Sequence, residues 1–524
     1  MELIKFYRYF YIGVNKMINN SMAVILLAFI LYLAGMVVVG FSSIRKNGST
    51  AEFFLGGRSI GPWITALSAE ASDSSAWLLM GLPGLCYLGG VKETFWTALG
   101  LIAGTYAAWL FIAKPLRKCT IAFGDSITIP EFFTNRFRDK SHLVSILSVV
   151  LIIFFFTIYT ASGFVACAKL FNSVFGLDYH IGLIIGMIVI LSYTITGGYR
   201  AVCTTDFIQG TLIFVAFVVS SILIIIALGG PGDAIAWASD FSRRAMSGEF
   251  GEEMKTKFLS NQSFGFMSIV SAMAWGLGYF GMPHIIVRFM GIRSNKEIAK
   301  ARRIGISWMI ISYIGTFIIG TLGTVYLLPM LLHGGSAETV FSECMLRMYP
   351  AFIAGIFLCA ILAASMSTAD SQLLSAASAF GRDIYKDILE KDADEKAVLF
   401  ISRITVLAIA GVAFVLSLDP NSSIFGLVSY AWAGFGATFG PIILLALNWR
   451  GMTRNGAFAG LLAGGIVVVL WHNLSPAIHP IFALYEIVPG FIACMLFSVV
   501  FSKLTLNKDP EMLAQFDKYK KMED

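Results

Sequence analysis

The segment TALSAEASDSSAWLLMGLPG, residues 65–84, decides how the rest of the chain can fold. It lies in a run apolar enough to cross a bilayer, yet it contains Glu70, Asp73, several hydroxyl side chains and a GLPG string at its end. An ionised carboxylate at bilayer depth is costly and normally faces a polar cavity or a partner. Backbone that unwinds there is tolerated only where it lines a cavity. The segment therefore predicts a discontinuous membrane helix whose oxygens bind a small cation. The alternative is a tightly packed continuous helix, which leaves Asp73 without a role.

Composition sets the class of protein. Of 524 residues, 57% are hydrophobic and 13% are charged, which is typical of an α-helical protein that crosses the membrane many times. Seven scattered cysteines argue against a disulfide framework or a metal cluster. The six histidines form no ligand cluster, and the chain has no phosphate-binding glycine loop and no nucleophile elbow, so nothing indicates an enzyme. The net charge of +6 is explained by loops that face the cytoplasm, without a nucleic-acid partner.

Apolar stretches of bilayer length predict about thirteen transmembrane helices. Most of the 38 Lys and Arg residues fall in segments that share one side if the N-terminus lies outside, so we expect a cytoplasmic C-terminus and a location in the cell membrane. The predicted spans are 22–43, 61–90, 94–113, 143–168, 180–197, 207–229, 262–287, 305–332, 351–380, 399–418, 424–447, 456–472 and 483–502.

A second interrupted helix is predicted at residues 263–288, SFGFMSIVSAMAWGLGYFGMPHIIVR. Without the first span and the last two, ten spans remain, and both halves of this set begin with an interrupted helix. Five is an odd number, so the halves have opposite topology. Matched breaks of this kind are the sequence pointer to the binding site of an inverted-repeat transporter. The predicted organisation is an N-terminal segment with the first helix (1–60), repeat 1 (61–229), an extracellular loop (230–261), repeat 2 (262–447), two C-terminal helices (448–503) and a cytoplasmic tail (504–524).

A second group of oxygen donors occurs in LAASMSTADSQ, residues 362–372. Ala364, Ser367 and Thr368 are related by helical steps of three and four, so their polar groups can converge on one face. A hard cation such as Na⁺ prefers oxygen ligands of this kind. The alternative is that each hydroxyl bonds back to the carbonyl one turn earlier.

Two further carboxylates have local explanations. Asp206 follows Thr204 and Thr205, and we interpret this cluster as a helix N-cap, with a wayside ion site as the alternative. Asp370 is expected near the cytoplasmic end of its helix, facing Arg382 or water.

An aromatic stripe accompanies the second break. Trp275, Tyr279 and Pro283 are spaced by four residues each. Aromatic stripes are more often packing than binding sites, but here they flank unwound backbone. A flat apolar wall with one hydroxyl suits a small zwitterion, and free amides at a half-helix end suit its carboxylate.

Several strings resemble the sodium/solute symporter family, most closely its sodium/proline symporter branch. They are FFLGGRSIGPW (53–63), ALSAEASDSSAWLLMGLPG (66–84), FFTIYTASG (155–163), WGLGYFGMPHI (275–285), CAILAASMSTADSQLL (359–374), SYAWAGFGATFGP (429–441), RNGAFAG (454–460) and LYEIVPGF (484–491). The resemblance implies a leucine-transporter-type fold with a 5+5 inverted repeat. It also implies sodium-coupled import of L-proline by alternating access.

The resemblance also implies site residues. Sodium ligands would be the carbonyls of Ala71, Ser74 and Ala364 and the hydroxyls of Ser367 and Thr368. The remaining roles would be ion coupling by Asp73 and Asp206, substrate binding by Ser75, Ala76, Trp275, Tyr279 and Pro283, and positions along the pathway for Arg58, Ser68 and Glu70.

Four positions differ from the proline-carrier pattern. Ser74 replaces methionine but keeps its carbonyl. Glu70, Ala76 and Met282 replace two glycines and a glutamine, so the solute is open between proline and another small amino acid or solute. The rival from another class is a membrane sensor that binds solute without moving it, and a channel is a third.

Overall fold

The computed structural model describes residues 22–44, 50–194, 198–474, 476–506 and 509–522, and the segment predicted ahead of the first span lies outside them. Within these ranges the chain is all-helical, apart from one isolated parallel bridge between Ile60 and Ile292. The helices, in chain order, are α1 (Met22–Ile44), α2 (Thr50–Leu55), α3 (Pro62–Ala76), α4 (Leu82–Gly89), α5 (Lys92–Ala108), α6 (Lys114–Ala122), α7 (Ile129–Phe137), α8 (Leu143–Phe175), α9 (Tyr179–Thr194), α10 (Tyr199–Ala227), α11 (Pro231–Met246), α12 (Glu252–Gln262), α13 (Phe266–Met273), α14 (Pro283–Gly291), α15 (Ile298–Tyr326), α16 (Val340–Met348), α17 (Ala351–Ser378), α18 (Glu395–Leu416), α19 (Ile424–Asn448), α20 (Arg454–His472), α21 (Ile487–Thr505) and α22 (Pro510–Lys521).

Several helices continue through irregular turns. Wide π-helical turns follow α3 (Trp77–Gly81), α5 (Trp109–Ala113) and α17 (Ala379–Leu389), and a 3₁₀ segment follows α13 (Ala274–Phe280). Such turns arise where the regular backbone ladder is interrupted, and they are frequent at functional sites.

Ten helices in the described ranges are long and apolar enough to cross a bilayer, or eleven if α12 and the segment Phe266–Phe280, bent by 95°, count as one. They account for all predicted spans except three. The span at 61–90 is divided between α3 and α4, the span at 262–287 is divided between α13 and α14, and α9 is a shorter apolar helix. The three exceptions are therefore the two predicted interruptions and one short helix.

The ten central spans form two units of five. The first unit is α3/α4, α5 with α6, α8, α9 and α10, and the second is α13/α14, α15, α17, α18 and α19. Helix α17 packs against α3, α8 and α10, so the oxygen-rich stretch of the second unit lies beside the first broken helix. This crossing of the two units sets the position of the site.

The C-terminal spans pack closely through small residues. Gly456, Gly460 and Gly464 line the face of α20 that meets α21. A Cβ at Gly460 would stand 1.9 Å from Oγ of Ser498, so only glycine allows this approach. The pair then covers α19, against which both helices pack.

Two segments outside the predicted spans contain helices. The predicted extracellular loop 230–261 contains α11 and α12. The described part of the predicted cytoplasmic tail forms α22, which buries Met512, Phe516 and Tyr519 against the rest of the protein. Phe516 lies over the guanidinium of Arg136, with its ring centre 4.6 Å from Cζ.

Candidate functional site

The first break lies at Ser75. Its φ of 39° and ψ of −177° are non-helical, between the regular turns of α3 and the wide turn at Trp77–Gly81. The Ser75 hydroxyl accepts a hydrogen bond from the Trp77 amide at 3.1 Å, which satisfies one donor exposed by the break. The predicted interruption of residues 65–84 is therefore present, and it occurs two residues after Asp73.

The second break lies between α13 and α14. The chain narrows to a 3₁₀ segment over Ala274–Phe280, passes through extended backbone at Met282 and restarts at Pro283, the first residue of α14. Gly278 is required here because a Cβ at this position would stand 2.0 Å from Nε1 of Trp432. That indole donates to the Trp275 carbonyl at 2.7 Å, so α19 supports the unwound segment directly.

Hydroxyls of α17 reach carbonyls of α3. Ser367 Oγ donates to the Ala71 carbonyl at 2.8 Å and also approaches the Ala364 carbonyl at 3.2 Å, and Thr368 Oγ1 donates to the Ser72 carbonyl at 2.8 Å. All these residues are buried. Because a hydroxyl can turn and present its lone pairs, the same atoms can coordinate a small cation.

The Ser74 carbonyl accepts the Trp77 amide, and the Ser74 hydroxyl donates to the Glu70 carbonyl at 2.6 Å. The carbonyl that accepts from Thr368 is that of Ser72. Sequence reasoning missed Ser72, although it lies in the same helical turn as Ala71 and on the step of four from Ser68.

A small cavity of about 10 Å³, room for about one water molecule, lies between the two breaks. Tyr279 in the second break donates its hydroxyl to Oδ2 of Asp73 in the first, so one hydrogen bond joins the two broken helices at the cavity. Bound solute must therefore displace side chains of the lining. The lining residues are Asp73, Trp77, Leu101, Tyr159, Trp275, Tyr279, Tyr313, Val428 and Trp432.

Two of the five predicted substrate-binding residues line this cavity, together with Asp73, which was predicted for ion coupling. The two are Trp275 and Tyr279; Ser75 and Ala76 supply backbone at the first break, and Pro283 begins α14. The additional rings come from helices that are distant in sequence. Tyr159 and Trp432 lie in FFTIYTASG and SYAWAGFGA, strings whose aromatic residues had no assigned role.

A larger cavity of about 430 Å³ lies beside the small cavity. Ser260 and Asn261 of the predicted extracellular loop line it, together with Glu93 and Glu486. Trp275 lines both cavities, and its ring stacks on Trp77 at 5.5 Å and on Tyr485 at 5.3 Å between ring centres. The stacked rings of Trp77, Trp275 and Tyr485, which we call the aromatic floor, separate the larger cavity from the smaller one. We call these the outer and the inner cavity.

Asp206 is not a helix cap. Helix α10 begins at Tyr199, so Asp206 lies two turns inside it, fully buried. Its Oδ2 accepts from Ser68 at 2.7 Å and from Ser72 and Arg288 at 3.1 Å. The N-cap pattern failed because Thr204 and Thr205 bond back to carbonyls within the helix.

Asp370 also differs from expectation. It is fully buried and accepts a hydrogen bond from Thr194, whereas Arg382 pairs with Glu131 at 3.1 Å. The prediction that Asp370 faces Arg382 or water is therefore wrong, because α17 continues as helix through Leu389 and places this residue within the bundle.

Arg58 and Glu70 are not among the residues that line the two cavities. Arg58 pairs with Asp125 at 2.9 Å and donates to the Met290 carbonyl at 2.8 Å, close to the end of α14. Glu70 lines neither cavity: its carboxylate packs over Gly305, where a Cβ would stand 2.5 Å from Oε1. Glycine at 305 leaves the room that this carboxylate occupies.

Two inverted units with helices broken at a shared buried pocket define a secondary transporter. The chain matches the family model described as "Sodium:solute symporter family" over residues 53–464, and it belongs to that family. It is therefore a multi-pass membrane protein and a sodium-coupled solute symporter, not an enzyme.

Similar proteins agree with this assignment. The chain is 42% identical to the "Sodium/proline symporter" of Escherichia coli (strain K12) over 498 residues, 94% of each protein, and 42% identical to that of Staphylococcus aureus over 492 residues, 93% of each. Among solved structures, a Na⁺-coupled sialic acid symporter in a substrate-bound outward-open state gives a TM-score of 0.73 at 19% identity, covering 92% of this chain and 98% of that one. MhsT in complex with L-phenylalanine gives 0.50 at 15% identity, covering 84% and 97%. These structures support the leucine-transporter-type fold.

Proposed function

We propose that the protein imports L-proline together with Na⁺ by alternating access across the cytoplasmic membrane, with its N-terminus outside and its C-terminus inside. The solute assignment rests on 42% identity, over 94% of both chains, to a protein named a sodium/proline symporter. The mechanism rests on one observation. Two broken helices from opposite units meet at a buried carboxylate, with hydroxyls of α17 directly beside them.

Sodium binds, in this proposal, at the carbonyls of Ala71, Ser74 and Ala364 and the hydroxyls of Ser367 and Thr368. The ion cross-links α3 to α17 and so stabilises the bent form of α3. A ligand shifts a conformational equilibrium only by its differential affinity for the two states. Since the ion site exists only where α3 and α17 are in contact, sodium favours the conformation in which the solute pocket is formed.

The solute binds between the breaks. Asp73 and Tyr279 face the cavity and suit the ammonium group, and Ser75 and Ala76 place backbone beside it. The rings of Trp275 and Tyr279 suit the apolar body of proline. The start of α14 at Pro283 offers the positive end of a half-helix to the carboxylate.

Uptake into proteoliposomes tests the proposal. Purified protein should accumulate radiolabelled L-proline when an inward sodium gradient is imposed, and a potential negative inside should increase the rate. The matched control is an equal potassium gradient. Proline uptake that is indifferent to sodium contradicts the proposal, and sodium-dependent binding without accumulation identifies a sensor.

The alternative that the solute is another small amino acid also has specific support. Ala76 and Met282 are both fully buried in the two breaks, where the proline-carrier pattern has glycine and glutamine. Both changes make the surroundings of the pocket more apolar. Competition by alanine, valine and pipecolate against uptake of labelled proline decides between the solutes. A competitor that inhibits this uptake more strongly than unlabelled proline does is the preferred solute.

A further inference from the structure

Residues along the second broken helix lie at successive positions of the pathway. Ser271 lines the outer cavity, Trp275 lies in the aromatic floor, and Tyr279 lines the inner cavity. Next, His284 Nε2 contacts the Ser72 carbonyl at 3.2 Å. Arg288, one turn further, lies beyond the solute pocket on the side opposite the outer cavity.

Arg288 contacts three helices besides its own. Its Nη2 donates to Oδ2 of Asp206 on α10 at 3.1 Å, to Ser72 Oγ on α3 at 3.0 Å and to Ser371 Oγ on α17, and its Nε donates to Ser68 Oγ on α3 at 3.2 Å. The side chains of Arg288 and Asp206 are 2% and 0% exposed. The four helices α3, α10, α14 and α17 therefore converge on one buried ion pair.

The pair is more than packing. Apolar side chains of similar volume stabilise a protein interior at least as well as a buried ion pair. The second Asp206 oxygen, Oδ1, is buried and has no hydrogen-bond partner among the described residues. Without the guanidinium, the buried carboxylate would lose its cationic partner.

We propose that Arg288 is a positioning residue that acts as a latch: its bond to Asp206 keeps the solute pocket closed on the side away from the outer cavity. The latch must release before solute and ion can leave on that side. This inference rests on the proposed function, because alternating access requires closure at each end in turn.

Ser72 connects the latch to the candidate ion site. Its carbonyl accepts from Thr368, while its hydroxyl contacts Asp206, Ser371 and Arg288. Any change of the α3 backbone when an ion enters or leaves therefore alters the bonds of the latch. Loss of sodium from Ala71 and Thr368 then favours release of Arg288.

A native thiol lies in the latch. Cys203, one turn before Asp206 on α10, is fully buried. The guanidinium of Arg288 stands 5.4 Å from the centre of the Tyr199 ring. Opening of the latch should therefore expose Cys203 to a hydrophilic alkylating reagent.

The first test measures Cys203 alkylation by mass spectrometry in purified full-length protein in detergent. In R288Q the rate should rise about tenfold or more, as expected when a buried segment opens locally. Buried Cys494 on α21 is the internal control, since it reports general unfolding and should stay protected. Equal Cys203 rates in wild type and R288Q would overturn the latch.

The second test removes the two charges of the ion pair, first singly and then together. R288Q and D206N each leave a buried charge without its partner, whereas the double variant removes both charges. Sodium-driven uptake should fall about tenfold or more in each single variant and recover partly in the double variant, because close pairs are non-additive. Millimolar guanidinium should partly restore closure in R288A. Additive losses and no effect of guanidinium would overturn the inference.

These outcomes separate the latch from the transport proposal. Failure of wild-type protein to move proline refutes the solute assignment, while protection of Cys203 by Arg288 can still be measured. Conversely, normal proline uptake by R288Q with unchanged Cys203 protection refutes the latch alone. R288K keeps the charge but not the planar fork, so an intermediate alkylation rate is expected.

Discussion

At the scale of single residues, Ser72 joins two clusters of the pathway. Its carbonyl and hydroxyl take part in different clusters: the carbonyl in the candidate ion site and the hydroxyl in the Arg288–Asp206 pair. A serine is small enough to be buried between α3, α10 and α17 while offering both groups. In the two proposals, ion binding and closure of the pathway therefore depend on the same turn of helix.

Removal of the α17 hydroxyls should weaken sodium binding. Ser367→Ala and Thr368→Val each delete one donor to the carbonyls of α3, and a charge-assisted contact contributes about 1.5–3 kcal/mol. The sodium concentration for half-maximal uptake should therefore rise about tenfold or more. Ser365→Ala is the matched control, because Ser365 donates to the Ile361 carbonyl within its own helix. An equal effect of all three substitutions would contradict the site.

Substitutions at Asp73 and Tyr279 should distinguish the role of the carboxylate charge from that of its hydrogen bond. Asp73→Asn removes the buried charge beside the cavity and should raise the half-maximal concentrations of both sodium and solute. Tyr279→Phe removes only the hydroxyl that donates a hydrogen bond to Asp73, so its cost should be about the 1.5–3 kcal/mol of a hydrogen bond to a charged group, with sodium dependence largely kept. Uptake kinetics at varied sodium check this. Unchanged sodium affinity in Asp73→Asn would exclude the carboxylate from coupling.

At the scale of elements, the first break depends on a backbone conformation that most side chains avoid. Ser75 has a positive φ of 39°, and holding a residue in such a region costs about 1–3 kcal/mol. The hydrogen bond from the Trp77 amide to its hydroxyl offsets part of this cost. The break is therefore maintained by its surroundings, chiefly α17 and the second broken helix.

Substitutions at Ser75 test this account. Ser75→Gly should keep stability close to that of the wild type, because glycine accepts a positive φ. Ser75→Val adds a branched Cβ and loses the hydroxyl, so it should lower the unfolding temperature measured on purified protein. Ser74→Val, one residue earlier in regular helix, is the control for added bulk. If valine is worse at 74 than at 75, the strain is not at Ser75.

The breaks were the most predictable elements. Their residues interrupt apolar runs locally, so the segments 65–84 and 263–288 were located from composition and glycine spacing alone. Asp206 and Asp370 were misplaced because local N-cap and helix-end rules cannot anticipate a tertiary partner such as Arg288 or Thr194. Trp77, Tyr313 and Trp432 likewise meet at the cavity only because three helices cross there, and single-chain periodicity does not report such crossings.

At the scale of the whole molecule, the C-terminal helix α22 covers a buried cation. Arg136 on α7 donates to the Ala446 carbonyl at 3.0 Å and lies under the rings of Phe516 and two further phenylalanines. Burial lowers the pKa of Arg136 to about 10. The described part of the C-terminal tail thus forms part of the structure, held by aromatic rings and by exposed pairs such as Arg450 with Asp517 at 2.9 Å.

Weakening the contact between α22 and Arg136 should lower the stability of the protein and leave sodium binding unchanged. Phe516→Ala removes a large buried ring at a cost of about 3–5 kcal/mol and exposes Arg136 to water. The unfolding temperature should fall, whereas the half-maximal sodium concentration should not change. Lys518→Ala, on the exposed side of the same helix, is the control. A change in sodium affinity without loss of stability would show that α22 communicates with the pathway.

The tryptophans beside the inner cavity are natural fluorescent probes of solute binding. Trp77, Trp275 and Trp432 line that cavity, and a ligand that enters a space of about 10 Å³ changes the surroundings of these indoles. Their emission should therefore change in wavelength or intensity on titration with solute, without any attached dye. Because the chain has ten tryptophans, replacing Trp275 with phenylalanine should remove most of the signal and so identify its source.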